Sequence, residues 1–303
     1  MHAHSRHGAA AILGGALLAF IAGASASAHG IIGNRFFPAT IATDDPSVAD
    51  ELSLPTLDTF KTGGSPADAQ TDVSIDYSKR LTPHLELGIG ATWSDLHPAG
   101  GPNIDGFQNI DSHVKYQFFS DAGHETILAA GVDAEWGDTG ARRVGAGAAT
   151  TFTPGFFFGK GAGDLPESLA WARPFAVTGS IGYSIPSRAT GSQDVVYGFA
   201  FEYSLPYLNA HVHDYGLPSF VNHLTPLVEM SFDSPVVRAA GAPTTGTINP
   251  GIIWSGRRFQ VGAEAIVPIN RQSGGNIGAI VQVHFYLDDI FPTSIGKPIW
   301  QGR

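Results

Sequence analysis

The C-terminal third of the chain alternates between apolar and polar or small residues, most regularly between positions 247 and 287. The apolar positions fall into three runs: Ile248, Pro250, Ile252 and Trp254; Phe259, Val261, Ala263, Ala265 and Val267; Ile277, Ala279, Val281, Val283, Phe285 and Leu287. A period of two places successive side chains on opposite faces of a strand. Turns at 255–258 and 268–276 separate the runs. The pattern therefore predicts a three-stranded antiparallel meander with one apolar face.

The same alternation recurs upstream of this meander. Seven further strands are predicted, within residues 73–78, 85–93, 110–118, 128–136, 171–183, 197–205 and 224–232. Two weaker strands are predicted at 54–61, where Pro55 interrupts the pattern, and at 143–153, which is rich in Gly, Ala and Thr. Residues 154–167 are predicted to form a long connection. The total is about 12 strands (10–14), and an even number returns both termini to one side.

The face opposite the apolar one carries most of the charge of these strands. Its ionisable residues are Asp76, Glu86, His113, Lys115, Asp133, Glu135, Glu202, Glu229, Glu264 and His284. Burial of such groups in a dry core costs several kcal/mol each unless they are paired. A water-lined lumen removes that cost, so these residues are predicted to line the inside of a barrel.

Aromatic residues on the apolar face collect at strand ends. Trp93, Trp136 and Tyr183 fall at one set of ends, and Tyr77, Phe118, Trp171, Tyr203, Trp254 and Phe259 fall at the other. Outer-membrane barrels carry two such girdles at the membrane interfaces. We therefore predict an all-β fold, a transmembrane antiparallel up-and-down β-barrel, with a soluble β-protein as the weaker alternative.

The N-terminus and the composition agree with export. Residues 1–28 combine a basic start, an apolar stretch and a small-residue cleavage site, which is typical of a signal peptide. The chain has no cysteine, and 15% of it is charged, against a usual value of about 25%. A net charge of −10 argues against nucleic acid as a partner. The predicted organisation is a signal peptide (1–28), a periplasmic N-terminal segment (29–53), the barrel (54–287) and a periplasmic tail (288–303).

Two stretches resemble a known family. The run from Asn249 to Asn270 and the Phe-Phe-Gly-Lys-Gly stretch around Lys160 resemble outer-membrane barrels of the family named for the MetA pathway of phenol degradation. The resemblance implies uptake of small organic compounds across the outer membrane. It brings no catalytic residue with it.

Several residues are candidates for chemical sites. His211 and His213, with Asp214 beside them, could bind a divalent metal if they share a strand face, although a polar connection is the favoured interpretation. His29 would be a copper-chelating first residue or an ordinary one. The inner carboxylates could be paired acid–base catalysts, but a structural role or a weak cation preference is favoured. Phe156–Phe158 could constrict a pore or anchor a loop.

No catalytic motif accompanies these residues, so no enzyme, cofactor or metal is predicted. The leading hypothesis is a passive outer-membrane channel for small organic solutes, including aromatic or hydrophobic ones, with outer-membrane lipid as its surroundings. The alternatives are a structural or surface-binding barrel with a sealed lumen and a barrel-embedded lipid-modifying enzyme, which needs a serine and a histidine in contact. The sequence leaves open whether the N-terminal segment enters the lumen, and leaves the oligomeric state open.

Overall fold

A computed structural model describes residues 30–63, 67–188, 191–238 and 241–300. The predicted signal peptide and His29 lie outside these residues. The strands are β1 (Ile31–Ile32), β2 (Arg35–Phe36), β3 (Glu51–Lys61), β4 (Ala69–Thr82), β5 (Leu85–His97), β6 (Ile104–Phe107), β7 (Ile110–Asp121), β8 (Thr126–Trp136), β9 (Thr151–Gly161), β10 (Phe175–Pro186), β11 (Gln193–Tyr203), β12 (Leu224–Val237), β13 (Thr245–Ser255), β14 (Phe259–Pro268) and β15 (Gly278–Tyr286).

Helical segments are short and lie between strands or after the last one. They are 3₁₀ turns at Arg142–Val144, Glu167–Ala172 and Val221–His223, a π-helical turn at Leu208–Val212, and α-helical turns at Leu205–Tyr207 and Leu287–Ile290. Within the described residues, none of these helices is both long and apolar enough to cross a bilayer.

Twelve of the described strands form one closed antiparallel barrel. The strands β3 to β5 and β7 to β15 pair in chain order, and β15 pairs with β3 to close the ring. The short strand β6 adds to the end of β5 beside the ring. The predicted fold class and strand number are therefore confirmed. Below, the terminal end is the barrel end that holds Glu51 and Tyr286, and the far end is the opposite one.

The prediction for residues 143–167 was wrong. The strand β9 covers Thr151–Gly161, so the run expected in a connection is strand, and residues 143–150 are not. The inner face of β9 carries Gly155, Phe157 and Gly159 instead of polar residues. The apolar–polar alternation that identifies a strand is therefore absent from this part of the sequence. Phe156 is 64% exposed on the outside whereas Phe157 is 4% exposed inside. The triplet is therefore neither a loop anchor nor a ring around a pore.

Two smaller predictions also differ from the structure. Trp171 was placed on a strand, but it lies in the 3₁₀ turn before β10, which begins at Phe175. Pro174 precedes that strand and has no N–H for the ladder. The predicted loop 94–105 contains strand residues, because β5 continues to His97 and β6 begins at Ile104. The weak strand around Pro55 forms, with a register shift between Ser53 and Thr56.

The outside of the barrel is apolar along the length of the strands. Large side chains there are at least one-third exposed in the isolated chain, among them Ile75, Leu87, Ile89, Tyr116, Ile181, Phe201, Ile252 and Val281. An apolar belt of this extent around a closed barrel requires lipid, since water would leave all of it hydrated. The molecule is an outer-membrane β-barrel.

Candidate functional site

Residues 30–50, here called the plug, run inside the barrel from the terminal end. Their first anchor is Arg35, which is fully buried and lies 3.1 Å from the Glu125 carboxylate through Nε. The guanidinium also donates to the carbonyl of Pro174 at 3.0 Å and stacks 3.9 Å above the ring of Tyr207. The connections of β7–β8, β9–β10 and β11–β12 therefore meet on one plug residue.

The second anchor is the carboxylate of Glu229, on the inner face of β12. It accepts hydrogen bonds from the backbone N–H groups of Ile41, Ala42 and Thr43 at 2.7, 2.8 and 2.7 Å, and from the Thr43 hydroxyl at 2.9 Å. Glu229 is fully buried. Four donors on one carboxylate replace the water that it would otherwise lose. They also hold the middle of the plug against the barrel wall.

The third anchor is Glu86, on the inner face of β5. It accepts from the backbone N–H of Ala49 at 2.8 Å, and its other oxygen lies 3.3 Å from Lys115 Nζ and 3.5 Å from His113 Nε2. Burial raises the pKa of the nearby plug residue Asp45 to about 6; the charge of Lys115 opposes this rise. Plug and wall therefore share one network of charges.

The plug leaves the lumen at Asp50, which joins three parts of the chain. Its side chain accepts from the ammonium of Lys79 and, at 2.7 Å, from Nε of Arg80, and its carbonyl accepts from the N–H of Leu287 at 2.9 Å. Arg80 also lies 3.5 Å from Asp288. The part of the predicted tail that the structure describes therefore packs against the terminal end.

Glycines on the barrel wall make room for the plug. A Cβ at Gly159 would lie 3.1 Å from Pro46, and one at Gly198 would lie 2.7 Å from a methyl carbon of Thr43. A Cβ at Gly262 would overlap with Ile41. These glycines come from β9, β11 and β14, so the wall makes room for the plug on these strands. The plug thus occupies much of the terminal half of the lumen.

Beside and above the plug, the lumen holds a cavity of about 780 Å³, which extends from Glu51 at the terminal end to Asp58 and Thr245 towards the far end. Five of the predicted lumen residues line it: Asp76, His113, Lys115, Asp133 and His284. Carboxylates that the sequence prediction did not include also line it, namely Asp44, Asp45, Glu51, Asp58, Asp111 and Asp233. Asp111 lies on the polar face of the predicted strand 110–118, so the alternation could have identified it. Asp58 lies in the weakest predicted strand, and Asp44 and Asp45 have no period at all.

The other predicted lumen residues lie elsewhere in the barrel. Glu86, Glu202, Glu229 and Glu264 are buried around the plug and do not line the cavity. Glu135 is exposed at the far end, where it accepts from the Asn109 amide at 2.7 Å. The ten predicted lumen residues therefore fall into three groups: five line the cavity, four are buried around the plug, and Glu135 lies at the rim of the far end.

Two serine–histidine contacts face the barrel interior. Ser53 Oγ lies 2.9 Å from His284 Nδ1, and His284 Nε2 lies 3.2 Å from a carboxylate oxygen of Glu51. Ser78 Oγ lies 3.2 Å from His113 Nε2. The first contact joins a hydroxyl, an imidazole and a carboxylate in series, at the edge of the cavity. Such a series can activate a nucleophile.

The candidate metal ligands His211 and His213 lie in the connection between β11 and β12. Both are exposed, and each packs against a tyrosine ring, Tyr207 and Tyr215 respectively. His211 is in a π-helical turn, so the two imidazoles do not share a strand face. No cluster of three or more His, Cys, Asp or Glu suited to a metal occurs among the described residues.

Aromatic side chains lie at both ends of the barrel exterior. Trp136 is 41% exposed at the far end, and at the terminal end Trp254 packs 5.5 Å from Phe259, measured between ring centroids. Phe220 stacks on the other side of Trp254 at 6.1 Å. Phe220 was not predicted, because it precedes its strand and has no place in an alternating pattern.

No protein-family model matches the sequence, and no curated protein matches it. Solved structures do match. An outer membrane channel from Pseudomonas putida F1 is similar over 83% of this chain and 99% of its own, with 10% identity and a TM-score of 0.51. The NanC porin aligns with 77% of this chain and 98% of its own, at 8% identity and a TM-score of 0.46. The outer membrane phospholipase A of Escherichia coli aligns with 89% and 98%, at 8% identity and a TM-score of 0.40. At 10% identity, the likeness to the Pseudomonas channel describes the fold alone, which is that of a closed outer-membrane β-barrel.

Proposed function

We propose that the protein is a passive channel for small solutes, and that the plug controls passage through its terminal half. The observation that carries the proposal is the polar cavity of about 780 Å³ inside a closed barrel. The first and last of the twelve barrel strands, β3 and β15, join the rest of the chain at the terminal end. We take this end as periplasmic, as in other outer-membrane barrels with an even number of strands.

The lining supports hydrophilic solutes better than aromatic or hydrophobic ones. Carboxylates and hydroxyls dominate the cavity wall, and its aliphatic side chains include Ile41, Val196 and Ile280. An apolar solute would displace water from the carboxylates without replacing its hydrogen bonds. The resemblance to the phenol-degradation family would favour aromatic solutes. That expectation stays a prediction, and the polar lining of this cavity does not favour it.

Reconstitution separates the channel from a sealed barrel. We expect the intact protein in planar bilayers to give discrete steps of ionic conductance, and vesicles that contain it to admit glucose. Protein-free vesicles and vesicles with heat-unfolded protein are the controls. Intact, folded protein that stays silent and admits no solute contradicts the proposal and supports the structural barrel.

A second candidate is a hydrolase, which the series of Ser53, His284 and Glu51 favours. Its placement inside the lumen means that its substrate would be a soluble ester rather than a membrane lipid. Ser53 lies within strand β3 and not on the sharp strand-to-helix turn that presents the nucleophile in many serine hydrolases. We therefore propose that this contact supports the strands and that the protein is not an enzyme.

Fluorophosphonate labelling tests this assignment. We expect the intact protein to remain unlabelled, because no activated hydroxyl is presented to the reagent, and Ser53→Ala to leave that result unchanged. Labelling of the intact protein that disappears in Ser53→Ala, but not in Ser78→Ala, would instead establish a nucleophile in the lumen.

A further inference from the structure

One side of the cavity is a continuous wall of carboxylates. Asp58, Asp76, Asp111 and Asp133 project from β3, β4, β7 and β8. Between β4 and β7, the strand β5 contributes Gly90, where a Cβ would lie 2.8 Å from the carboxyl carbon of Asp111. Because Gly90 has no side chain, the Asp111 carboxylate can lie over β5, and the arc of carboxylates that forms this wall continues from β4 to β7.

The cations of the cavity are already held by other carboxylates. Lys115 lies 3.3 Å and His113 3.5 Å from Glu86. His284 lies 3.2 Å from Glu51. In the described part of the chain, no salt bridge links Asp58, Asp111 or Asp133 to a basic side chain. The wall therefore presents carboxylates that protein cations do not neutralise.

The cavity lining as a whole carries a net negative charge. It contains eight carboxylic acids, one lysine and two histidines. Protonation of both histidines would still leave more acids than bases. Charge of one sign within low-dielectric walls focuses the field into the cleft and concentrates counter-ions there.

The other side of the cavity offers uncharged hydrogen-bonding groups. Ser180, Ser231 and Thr247 line it from β10, β12 and β13. On β15, next to the carboxylate wall, Gln282 also lines the cavity and is only 7% exposed. Its amide nitrogen donates to Thr56 at 3.0 Å, whereas its carbonyl oxygen has no hydrogen-bond partner among the described residues. A buried acceptor of this kind is satisfied by a donor from a ligand or from water.

We propose that the lumen selects small, hydrophilic organic cations, such as amines or guanidinium compounds, over neutral and anionic solutes of the same size. The inference rests on the proposed channel function and names its solute class. The cation would meet the arc of Asp58, Asp111 and Asp133, donate to Gln282, and turn its hydroxyl-bearing side to the serine and threonine wall. A volume of about 780 Å³ lies within the range of sites for small molecules.

The test compares three sugars that differ mainly in charge. Vesicles that contain the intact protein are mixed with glucosamine, glucose or glucuronate at neutral pH, where glucosamine is still largely cationic and more of the wall carboxylates are ionised than in acid, and the rate of swelling is measured. We expect glucosamine to enter several-fold faster than glucose, and glucuronate to be the slowest. In a potassium chloride gradient, the reversal potential should report preference for potassium over chloride.

Matched variants assign the preference to the wall. Asp111→Asn with Asp133→Asn keeps the side-chain shapes and removes two charges; it should reduce the glucosamine advantage several-fold while glucose still enters. Asp105→Asn with Asp214→Asn removes two exposed charges that do not line the cavity, and should preserve the preference. Equal rates for the three sugars overturn the cation inference and leave the channel standing. Entry of none of them overturns the channel itself.

Discussion

A chain that lacks residues 30–49 should carry several times more current per open channel than the intact chain. The plug occupies much of the terminal half of the lumen, where Arg35, Glu229 and Glu86 hold it. Its removal leaves an aqueous path where backbone and side chains now lie. Asp50 is retained, so the contacts of its side chain with Lys79 and Arg80 stay available.

Removal of the plug also exposes buried carboxylates without breaking the barrel ladder. Glu202, Glu229 and Glu264 are buried around the plug in the intact protein. In the shortened chain, water replaces the plug as the partner of Glu229 and reaches Glu202 and Glu264, and the pairing of β3 with β15 and β4 is untouched. We therefore expect the shortened barrel to fold, although with lower stability because the plug contacts are lost.

Single-channel recording in planar bilayers measures this effect, and circular dichroism verifies the strand content. Glu229→Gln is the companion variant, because its amide nitrogen would replace one acceptor oxygen and face either the N–H of Ile41 or those of Ala42 and Thr43. It should open more often than the intact protein while the plug remains attached. A shortened chain that is folded and conducts no better than the intact chain would show that the plug does not limit the current.

Oxidation of a Thr43→Cys, Gly198→Cys variant should silence the channel, and a reductant should restore it. A Cβ at position 198 would lie 3.2 Å from the Cβ of Thr43, a little below the span of about 3.5–4.5 Å that disulfides favour. A shift of a few tenths of an ångström would allow the bond. The chain has no cysteine, so no other thiol can compete.

The bond ties the middle of the plug to β11 and prevents it from leaving the wall. Conductance is recorded before and after oxidation on the same preparation, and each single-cysteine variant serves as a control for the added side chain and for the oxidant. If the oxidised double variant conducts like its reduced form, solutes pass without displacement of the plug, and its role as a gate is wrong.

The alternating pattern carried much information about the barrel. It predicted the fold, the number of strands, and which face of β14 and β15 is apolar. It also placed Glu86 and Glu229 on the inner face, where the structure has them buried. These properties are local, because a period of two records the face of a strand on which each residue lies.

The same pattern failed at β9, for a reason that only the folded chain shows. Gly159 and Gly161 replace the polar residues expected on an inner face, because Phe37, Pro46 and Arg35 of the plug occupy that space. A strand fitted to a plug loses the alternation that a strand facing water keeps.

Whether residues 30–50 enter the lumen was decided by tertiary structure alone. The segment has no period, and it docks through backbone N–H groups, which every residue except proline carries. The acceptor for Ile41 is Glu229, which is 188 residues away in sequence. The sequence therefore determined a barrel with a charged interior. The placement of the plug depended on contacts between distant parts of the chain, and these contacts also decided which interior residues surround the plug and which line the cavity.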